Sequence, residues 1–429
     1  MTSQKYPEYP IFTLPLGLTR MYVVTAPHIS TEIQRNNKTL QFDPMVPELL
    51  PRVLGMDSKA VAILKNNCTQ VGGRFGILAD IHQEMASAMA TGPTLDNMLV
   101  ATVDELRVEL RRNISAQPVD LLEWTMHIFT LATARALYGP QNPIAVDPSL
   151  EADFWQFDRN LGLLLINIFP KITARGPFYA RERCVQGFKE YVSDEKRMAQ
   201  ASRVIQRRFV VVHNNGFDTD ATARSELSFL FAGVVNTAIS AFWLVLHIFS
   251  DPELLADVRR EVDEAGLDPT ILRNKAPLLS SALSECLRLA SDTNSQRLVL
   301  ADTMIQDKKT GESYKLHANS VVQISAAAMH SDPRFWDDAS AFNPRRFLDG
   351  KLPLAWRPFG GGVTHCPGRH LATVTVLGWA ALVVSLLDIE SADGTPLKVP
   401  EKEDRRLPVH VCESKEKVVI KMKKRKGRG

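Results

Sequence analysis

One cysteine lies between a glycine-rich loop and an apolar segment, in a run that reads FGGGVTHCPG at residues 359–368. Because glycines have no Cβ, the backbone can turn tightly there and approach a flat cofactor closely. Backbone N–H groups in such a turn can point at a sulfur, and Pro367 fits the first position of a helix whose positive end favours a thiolate. The layout is suited to holding haem iron through a thiolate. The expected cofactor contacts are Cys366, which is also the metal ligand, and Phe359, Gly360 and Gly362.

The same residues allow two other interpretations. A lone cysteine before a helix is usually a small buried hydrophobe, and glycine runs are common in loops. A zinc site would use Cys366 together with His365 and His370. Structural zinc requires four ligands, and the sequence offers no convincing fourth ligand nearby. The haem-thiolate interpretation is therefore favoured.

The loop resembles the cysteine-ligand loop of cytochromes P450, in which phenylalanine, spaced glycines, cysteine and a final glycine recur. Two further segments carry the resemblance: ECLR at residues 285–288 is similar to the family's glutamate-x-x-arginine motif, and FNPRRF at residues 342–347 is similar to the segment that follows it. Their order and spacing also fit, and the resemblance covers roughly residues 8–422. It implies the eukaryotic type of the family, with haem b as cofactor.

Glu285 and Arg288 are three residues apart, so on a helix they share a face. The surrounding residues are apolar enough for this helix to be buried. A buried arginine and carboxylate need further hydrogen bonds, and Arg346, from the loop ahead of the cysteine, can supply them. We expect a structural triad that fixes the core; an exposed helical ion pair is the alternative.

The resemblance implies a single cytochrome P450 domain over residues 1–429, mainly α-helical with small β-sheets. The chain is 45% hydrophobic, which is enough to bury a large core, and no linker rich in proline, glycine or serine divides it. Periodicity predicts helices at residues 121–138, 225–250 and 367–387. It predicts strands near Ile11, at residues 20–24 and 320–324, and, as a closing pair, near Val409 and at residues 418–420.

The net charge of +3 has its origin at the end of the chain, where residues 421–429 carry six lysines and arginines. The rest of the chain has 45 basic and 48 acidic residues, which argues against a nucleic-acid-binding surface. We expect residues 421–429 to be a solvated, disordered tail, with contact to anionic lipid headgroups as the weaker alternative. The five cysteines are scattered and odd in number, which indicates reduced thiols in a cytosol-facing compartment.

No signal peptide or membrane-spanning run opens the sequence. Eukaryotic P450s usually carry an N-terminal anchor. Because this sequence shows none, we expect a chain that lacks the anchor, whether naturally, by trimming or through a shortened gene. The apolar run at residues 161–169 is too short to span a bilayer. It is expected to be a core helix, or an entrance helix that dips into the membrane. The expected location is the surface of the endoplasmic reticulum, with peripheral membrane contact and no transmembrane segment.

The resemblance places the predicted helix at residues 225–250 across the distal face of the haem. Many P450s have a carboxylate followed by threonine at its centre, where they handle dioxygen and deliver protons. This chain has Val235 and Asn236 at those positions, followed by Thr237. Asn236 can donate and accept hydrogen bonds, so we assign catalytic roles to Asn236 and Thr237. A satisfied polar residue in a kinked helix is the alternative interpretation of Asn236.

The string NTAISAFW at residues 236–243 resembles the branch of the family that contains cholesterol 7α-hydroxylase, sterol 12α-hydroxylase and prostacyclin synthase. Thr364 stands where the family usually has an arginine that binds a haem propionate, and this branch often lacks that arginine. Arg297 matches the strand arginine that P450s direct at a propionate. His82 lies where an early helix often supplies another basic group, and a surface histidine is the alternative. Negatively charged propionates favour such donors.

These features predict a monooxygenase that inserts oxygen from O₂ into an apolar small molecule: a sterol, a terpenoid or another secondary metabolite, in a fungal member of the family. No dinucleotide- or flavin-binding segment is present, so electrons are expected from a separate NADPH–cytochrome P450 reductase. The branch also contains an isomerase, so a haem-thiolate isomerase or dehydratase that needs neither O₂ nor reductase is the second interpretation. A haem-binding sensor or carrier is the third.

Overall fold

A computed structural model describes residues 9–17, 19–69, 76–403 and 410–425 of the chain. The described part is mainly α-helical with small β-sheets, which confirms the predicted fold class. The helices α1 to α19 are, in order, Pro27–Arg35, Val46–Val53, Ser58–Lys65, Ile77–Ala88, Pro93–Arg112, Leu121–Tyr138, Pro143–Val146, Ser149–Arg159, Leu161–Ile166, Pro170–Thr173, Arg175–Val192, Glu195–Met198, Arg203–Asn214, Thr219–Ser250, Pro252–Ala265, Pro269–Lys275, Pro277–Ala290, Ala326–His330 and Arg369–Leu386. The strands β1 to β10 are Ile11–Leu16, Thr19–Val24, Leu40–Gln41, Val119–Asp120, Asn294–Val299, Thr303–Gln306, Ser313–Leu316, Val321–Ser325, Leu387–Ser391 and Val419–Lys424.

Three sheets accompany the helices in the described part of the chain. The largest has the strand order β1-β2-β8-β5-β3, in which β2 and β8 are parallel and β5 and β8 are antiparallel. The second has the order β4-β10-β9, and β6 pairs with β7 as a two-stranded sheet. Arg297 of β5 pairs in register with Val322 of the neighbouring β8 and is buried. The largest sheet thereby fixes one of the predicted site residues.

Helices α6, α14 and α19 form the centre of the core. The ring of Trp379 in α19 is fully buried and packs against Trp124 and Phe129 of α6, at ring-centroid distances of 5.3 and 5.4 Å. Gly378 permits close packing on the other side of α19, because a Cβ there would lie 2.9 Å from a methyl group of Val103 in α5. The core therefore holds α14 and α19, which carry the distal and cysteine-side parts of the predicted site, in fixed relative positions.

Two predicted helices differ from the observed ones in where they begin. Helix α6 has the predicted bounds, and Asp120 caps it by accepting a hydrogen bond from Leu122 N at 2.9 Å. Helix α14 begins earlier than predicted, at Thr219, because Asp218 caps it by accepting from Ala221 N at 2.9 Å. The first turns of α14 are polar and show no apolar periodicity. Helix α19 begins at Arg369 and not at Pro367.

The predicted disordered tail is wrong for residues 421–425. Strand β10 includes residues 421–424, and Arg425 N donates to Leu386 O at 2.9 Å. Met422 is buried in β10 whereas Lys421 and Lys423 are exposed, which is the two-residue alternation of a strand with one face on the core. The charge of the lysines concealed this pattern. Residues 426–429 lie outside the described part, as does Val409, one half of the predicted closing strand pair.

Helices α14 and α19 are long and apolar enough to cross a membrane by length and composition, but both are mostly buried inside the protein. We therefore interpret them as core helices. The run at residues 161–169 behaves differently. Leu161 and Leu164 of α9 are buried, whereas Ile166 is 59% and Phe169 is 75% exposed. The run therefore packs Leu161 and Leu164 into the core and exposes Ile166 and Phe169 at the surface.

Candidate active site

A cavity of about 420 Å³ lies between the centre of α14, strand β5 and the loop that precedes α19. Its wall brings together many of the residues predicted for the site: Asn236, Thr237, Arg297, Phe359, Gly360 and Cys366. Much of the remaining wall is apolar, with side chains that include Met85, Met89, Leu137, Phe229, Leu283, Leu287 and Val376. Gly362 and His82 do not line this cavity.

Cys366 lies three residues before the start of α19. Its backbone N–H donates to Phe359 O at 3.0 Å, which closes the glycine loop. Burial raises the pKa of the Cys366 thiol, and the backbone N–H groups of Gly368 and Arg369 oppose that shift. Although Pro367 is not at the first helical position, N–H groups at the start of α19 still point at the sulfur. A metal cation at the sulfur would offset the cost of burying the negative charge of the thiolate, and this environment would then favour the thiolate.

The glycines let the loop lie against helix α1. Gly360 and Gly362 have φ values of +71° and +67°, in the left-handed region that favours glycine. A Cβ at Gly362 would lie 2.8 Å from the Cβ of Gln34, and one at Gly361 would lie 2.7 Å from Gln34 Oε1. Gly362 therefore shapes the loop through its contact with α1, while Gly360 contributes directly to the cavity wall.

The amide of Asn236 is held by the chain before β10. Its Oδ1 accepts a hydrogen bond from Val411 N at 2.9 Å. Thr237 lies beside it, with its hydroxyl donating to Gly233 O at 3.1 Å. The Nδ2 group of Asn236 is therefore the part of the side chain with which it can donate to a ligand. Val235, at the position where many P450s have a carboxylate, is fully buried and does not line the cavity.

Arg297 enters the cavity wall from β5 and contacts Thr364. Its Nη2 donates to Thr364 Oγ1, while Nη1 donates to Ser295 Oγ at 2.9 Å and to Gln296 O at 2.7 Å. Burial lowers the pKa of Arg297, and the Asp43 carboxylate opposes this shift. Arg297 remains a candidate for binding a haem carboxylate, while Thr364 adds a hydroxyl and no charge.

The structure does not bring His82 to the cavity. Its ring is 51% exposed, and Nδ1 lies 3.9 Å from Asp43 Oδ1. Met85 of the same helix, α4, and Met89, directly after its end, reach the cavity wall instead. The geometry therefore supports the surface interpretation of His82, with Asp43 as its neighbour, over a role in binding the cofactor.

Glu285, Arg288 and Arg346 lie in one buried network outside the cavity. Arg288 donates from Nε and Nη2 to the two oxygens of Glu285, each at 2.8 Å. Arg346 Nε donates to Glu285 Oε1 at 3.0 Å. The other N–H groups of Arg288 donate to the backbone oxygens of His330, Ala339 and Ala341. The side chains of Glu285 and Arg288 are fully buried, so these bonds offset the cost of burying their charges.

The residues present fit a haem held through a thiolate. A cysteine sulfur lies on one wall of the cavity, an amide and a hydroxyl lie on α14, and buried arginines lie in the wall. Haem carboxylates require such cationic donors. The residues that sequence reasoning missed are Arg357 and Gln34, both buried and both in the cavity wall. The available signal was Arg357 itself, a charge that directly precedes Pro358 and Phe359 in an otherwise apolar stretch.

Comparisons with known proteins agree with this site. The family model described as cytochrome P450 matches residues 151–412. A cytochrome P450 monooxygenase of Gibberella zeae is 28% identical over 421 residues, which cover 91% of this chain and 77% of that protein. Cytochrome P450 monooxygenase nodJ of Hypoxylon pulicicidum is 28% identical over 414 residues, covering 90% and 77%. Cytochrome P450 7A1 of Oryctolagus cuniculus is 27% identical over 294 residues, covering 60% and 56%.

A solved structure of retinoic acid-bound cyanobacterial CYP120A1 shares the fold, with a TM-score of 0.73 at 19% identity, covering 99% of this chain and 94% of that one. The chain therefore belongs to the cytochrome P450 family. It is a cytochrome P450 monooxygenase whose cofactor is haem b. The match to cytochrome P450 7A1 agrees in part with the branch that the sequence indicated.

Proposed function

We propose that this monooxygenase inserts one atom of O₂ into an apolar small molecule of fungal secondary metabolism, such as a sterol or terpenoid, and that the sulfur of Cys366 would hold the haem iron. The substrate RH, O₂, NADPH and a proton yield ROH, water and NADP⁺, with both electrons delivered by a separate NADPH–cytochrome P450 reductase. The observation that carries the proposal is the apolar cavity that has Cys366 on one wall and Asn236 on another. The fungal relatives that are named monooxygenases support the reaction class.

When bound, the haem supplies the redox chemistry, and a thiolate ligand favours cleavage of the O–O bond. The chain's own contribution on the distal side comes from Asn236. Its Nδ2 donates to an oxygen or to an ordered water in the cavity, while Oδ1 stays engaged with Val411 N. An amide cannot transfer a proton as a carboxylic acid does, so proton supply relies on water held by Asn236 and Thr237. The apolar wall excludes other water and suits an apolar substrate.

The experiment that tests this function uses the purified protein with its reductase, NADPH and ¹⁸O₂, after a spectral binding screen of sterols and terpenoids. The proposal predicts NADPH-dependent product that carries ¹⁸O. A haem-thiolate isomerase or dehydratase is the second candidate, favoured by the buried Val235 in place of an acid. That candidate predicts turnover without NADPH and no ¹⁸O in the product, and this result would replace the proposal.

We also propose peripheral contact with the endoplasmic reticulum membrane through an exposed apolar patch. The patch consists of five side chains that are 45–79% exposed: Leu163, Ile166, Ile168, Phe169 and Ile172. Apolar side chains grouped in this way gain free energy by entering the headgroup region of a bilayer. Changing Phe169 and Ile172 together to serine should weaken sedimentation with phosphatidylcholine vesicles. The exposed Val146 gives a matched control, Val146→Ser, and equal sedimentation of all three proteins would reject the patch.

A further inference from the structure

Arg357 is a buried cation in the cavity wall with no acidic partner among the described residues. It is 8% exposed, and it directly precedes Pro358 and Phe359 at the start of the glycine loop. Burial lowers the pKa of Arg357, and no carboxylate within the described part of the chain opposes that shift. By contrast, the buried Arg288 pairs with the carboxylate of Glu285 at 2.8 Å. An unpaired buried charge is strongly destabilising, so a ligand that supplies an anion would relieve a large cost.

The hydrogen bonds of Arg357 leave one donor unused. A guanidinium has five N–H groups. Four of them are accounted for by bonds of 2.8–3.2 Å to uncharged acceptors: Leu354 O, Gln34 Oε1, Pro27 O and Thr31 Oγ1. The remaining N–H is on Nη1, the nitrogen that also donates to Gln34 Oε1 at 2.8 Å. This arrangement fixes the guanidinium in position without neutralising it.

Gln34 adds further unused donors at the same place. It is 8% exposed, lies in helix α1 and lines the cavity together with Arg357. Its Nε2 is buried and has no hydrogen-bond partner among the described residues. The bond from Arg357 to Oε1 defines which end of the amide is the nitrogen. Gly361 gives this pair its space, because a Cβ there would lie 2.7–3.1 Å from Gln34 Oε1, Gln34 Nε2 and Arg357 Nη1.

We propose that Arg357 and Gln34 form a carboxylate-binding site that receives one of the two haem propionates. This site takes the role of the arginine that the family usually has at the position of Thr364. The carboxylate accepts from Arg357 Nη1 and, after a small rotation of the amide, from Gln34 Nε2. Arg297 and Thr364, in contact with each other in the same cavity, are then left for the second propionate. The cation that this chain lacks at residue 364 is thus supplied seven residues earlier, from the other end of the glycine loop. The inference rests on haem binding and not on the proposed reaction, so failure of the oxygenase test leaves it standing.

The test uses substrate-free holoenzyme and two readouts other than activity. Resonance Raman spectroscopy reports the bending bands of the haem propionates, which respond to their hydrogen bonds. Transfer of haem to an excess of apomyoglobin gives the haem-release rate. Arg357→Met should shift one propionate band and speed haem release roughly ten- to a hundredfold, as expected for loss of a hydrogen bond between charged groups. The matched control is Arg345→Met, because Arg345 is 53% exposed and pairs with Asp257 away from the cavity.

Two further variants keep the inference testable if Arg357→Met does not load haem. Arg357→Lys keeps the charge and should retain most of the haem affinity, whereas Gln34→Leu keeps the guanidinium and should still shift the propionate band. The assignment is overturned if Gln34→Leu has the propionate bands and haem-release rate of the wild type and Arg357→Met, where it loads haem, has them too. Arg357→Lys with no haem and an unshifted band in Gln34→Leu would also overturn it, since Arg357 would then be structural only.

Discussion

The carboxamide oxygen of Asn236 accepts a hydrogen bond from the backbone N–H of Val411 at 2.9 Å. The centre of α14 is thereby tied to the segment that precedes β10. This bond gives the amide one fixed orientation, in which Nδ2 is the group left to face the cavity. A threonine hydroxyl or a carboxylate at this position would not present the same donor. The relationship therefore leaves Nδ2 as the donor for the role in handling oxygen that we propose for Asn236.

Replacing Asn236 with leucine should lower the product formed per NADPH consumed, on the order of tenfold or more, because the donor that holds oxygen or water is removed. Peroxide should rise correspondingly, while the reduced carbon monoxide spectrum stays that of a thiolate-bound haem. Product, NADPH and peroxide are measured in one reaction. The control is Asn97→Leu, since Asn97 is exposed on α5 and does not line the cavity. Unchanged coupling in Asn236→Leu would show that the amide only holds Val411.

Glu285→Ala should destabilise the protein by about 3–5 kcal/mol, since it leaves the buried Arg288 without its carboxylate. We expect the variant to lose haem incorporation or soluble expression. Denaturant unfolding of the protein that does fold measures the loss of stability. Glu264→Ala is the matched control, because Glu264 is exposed on α15. A Glu285→Ala protein with wild-type stability and full haem content would refute the structural role of the network.

Gly362→Ala should reduce stability and haem content by more than Gly394→Ala does. Both glycines have positive φ values, +67° and +79°, so both substitutions carry the left-handed penalty of about 1–2 kcal/mol. Only Gly362 adds a steric clash, with its Cβ 2.8 Å from Gln34 Cβ, whereas nothing lies within 4 Å at Gly394. Denaturant unfolding of the two variants measures the difference. Equal losses would mean that the loop does not need its close approach to α1.

His410 makes a pH-dependent contribution to stability. Burial disfavours its protonation, but the Asp158 carboxylate, 3.3 Å away, and the Val411 carbonyl outweigh burial, so the pKa of His410 is raised above its ordinary value of 6.5. A raised pKa in the folded state stabilises the protein below the ordinary value, and this contribution disappears as the pH rises through the folded-state pKa.

His410→Gln should therefore destabilise the protein more at about pH 6 than at about pH 9. Unfolding free energies at the two pH values measure the effect. Asp158→Asn should remove most of the pH dependence, because the carboxylate that holds the proton on His410 is gone. A loss of stability that is the same at both pH values would show that His410 is neutral in the folded protein.

Short-range signals predicted much of the fold and part of the site. The bounds of α6 followed from apolar periodicity, and the positions of Glu285 and Arg288 followed from helical spacing inside an apolar segment. Cys366, Phe359 and Gly360 were predicted at the site because a motif contained them within ten residues. In each of these cases the determining interaction is local in sequence.

The contacts that were missed join segments that are distant in the sequence. Gln34 meets Arg357 across 323 residues, and Asn236 meets Val411 across 175, so no local pattern could reveal either pair. The strand at residues 421–424 was missed because its pairing partner, β9, supplies the hydrogen bonds that override the lysine charges. A cofactor-binding role for His82 was predicted from its position in the family alone. Its half-exposed ring lies beside Asp43, a neighbour that the sequence did not identify.

The central claim is that Cys366 binds the haem iron through its sulfur, and the reduced carbon monoxide difference spectrum tests it most directly. The wild type and the control Cys68→Ser, which changes a half-buried cysteine outside the cavity, should both show the Soret band at the thiolate position. Cys366→Ser should lose that band whether or not it retains haem. A thiolate spectrum that persists in Cys366→Ser would contradict the account.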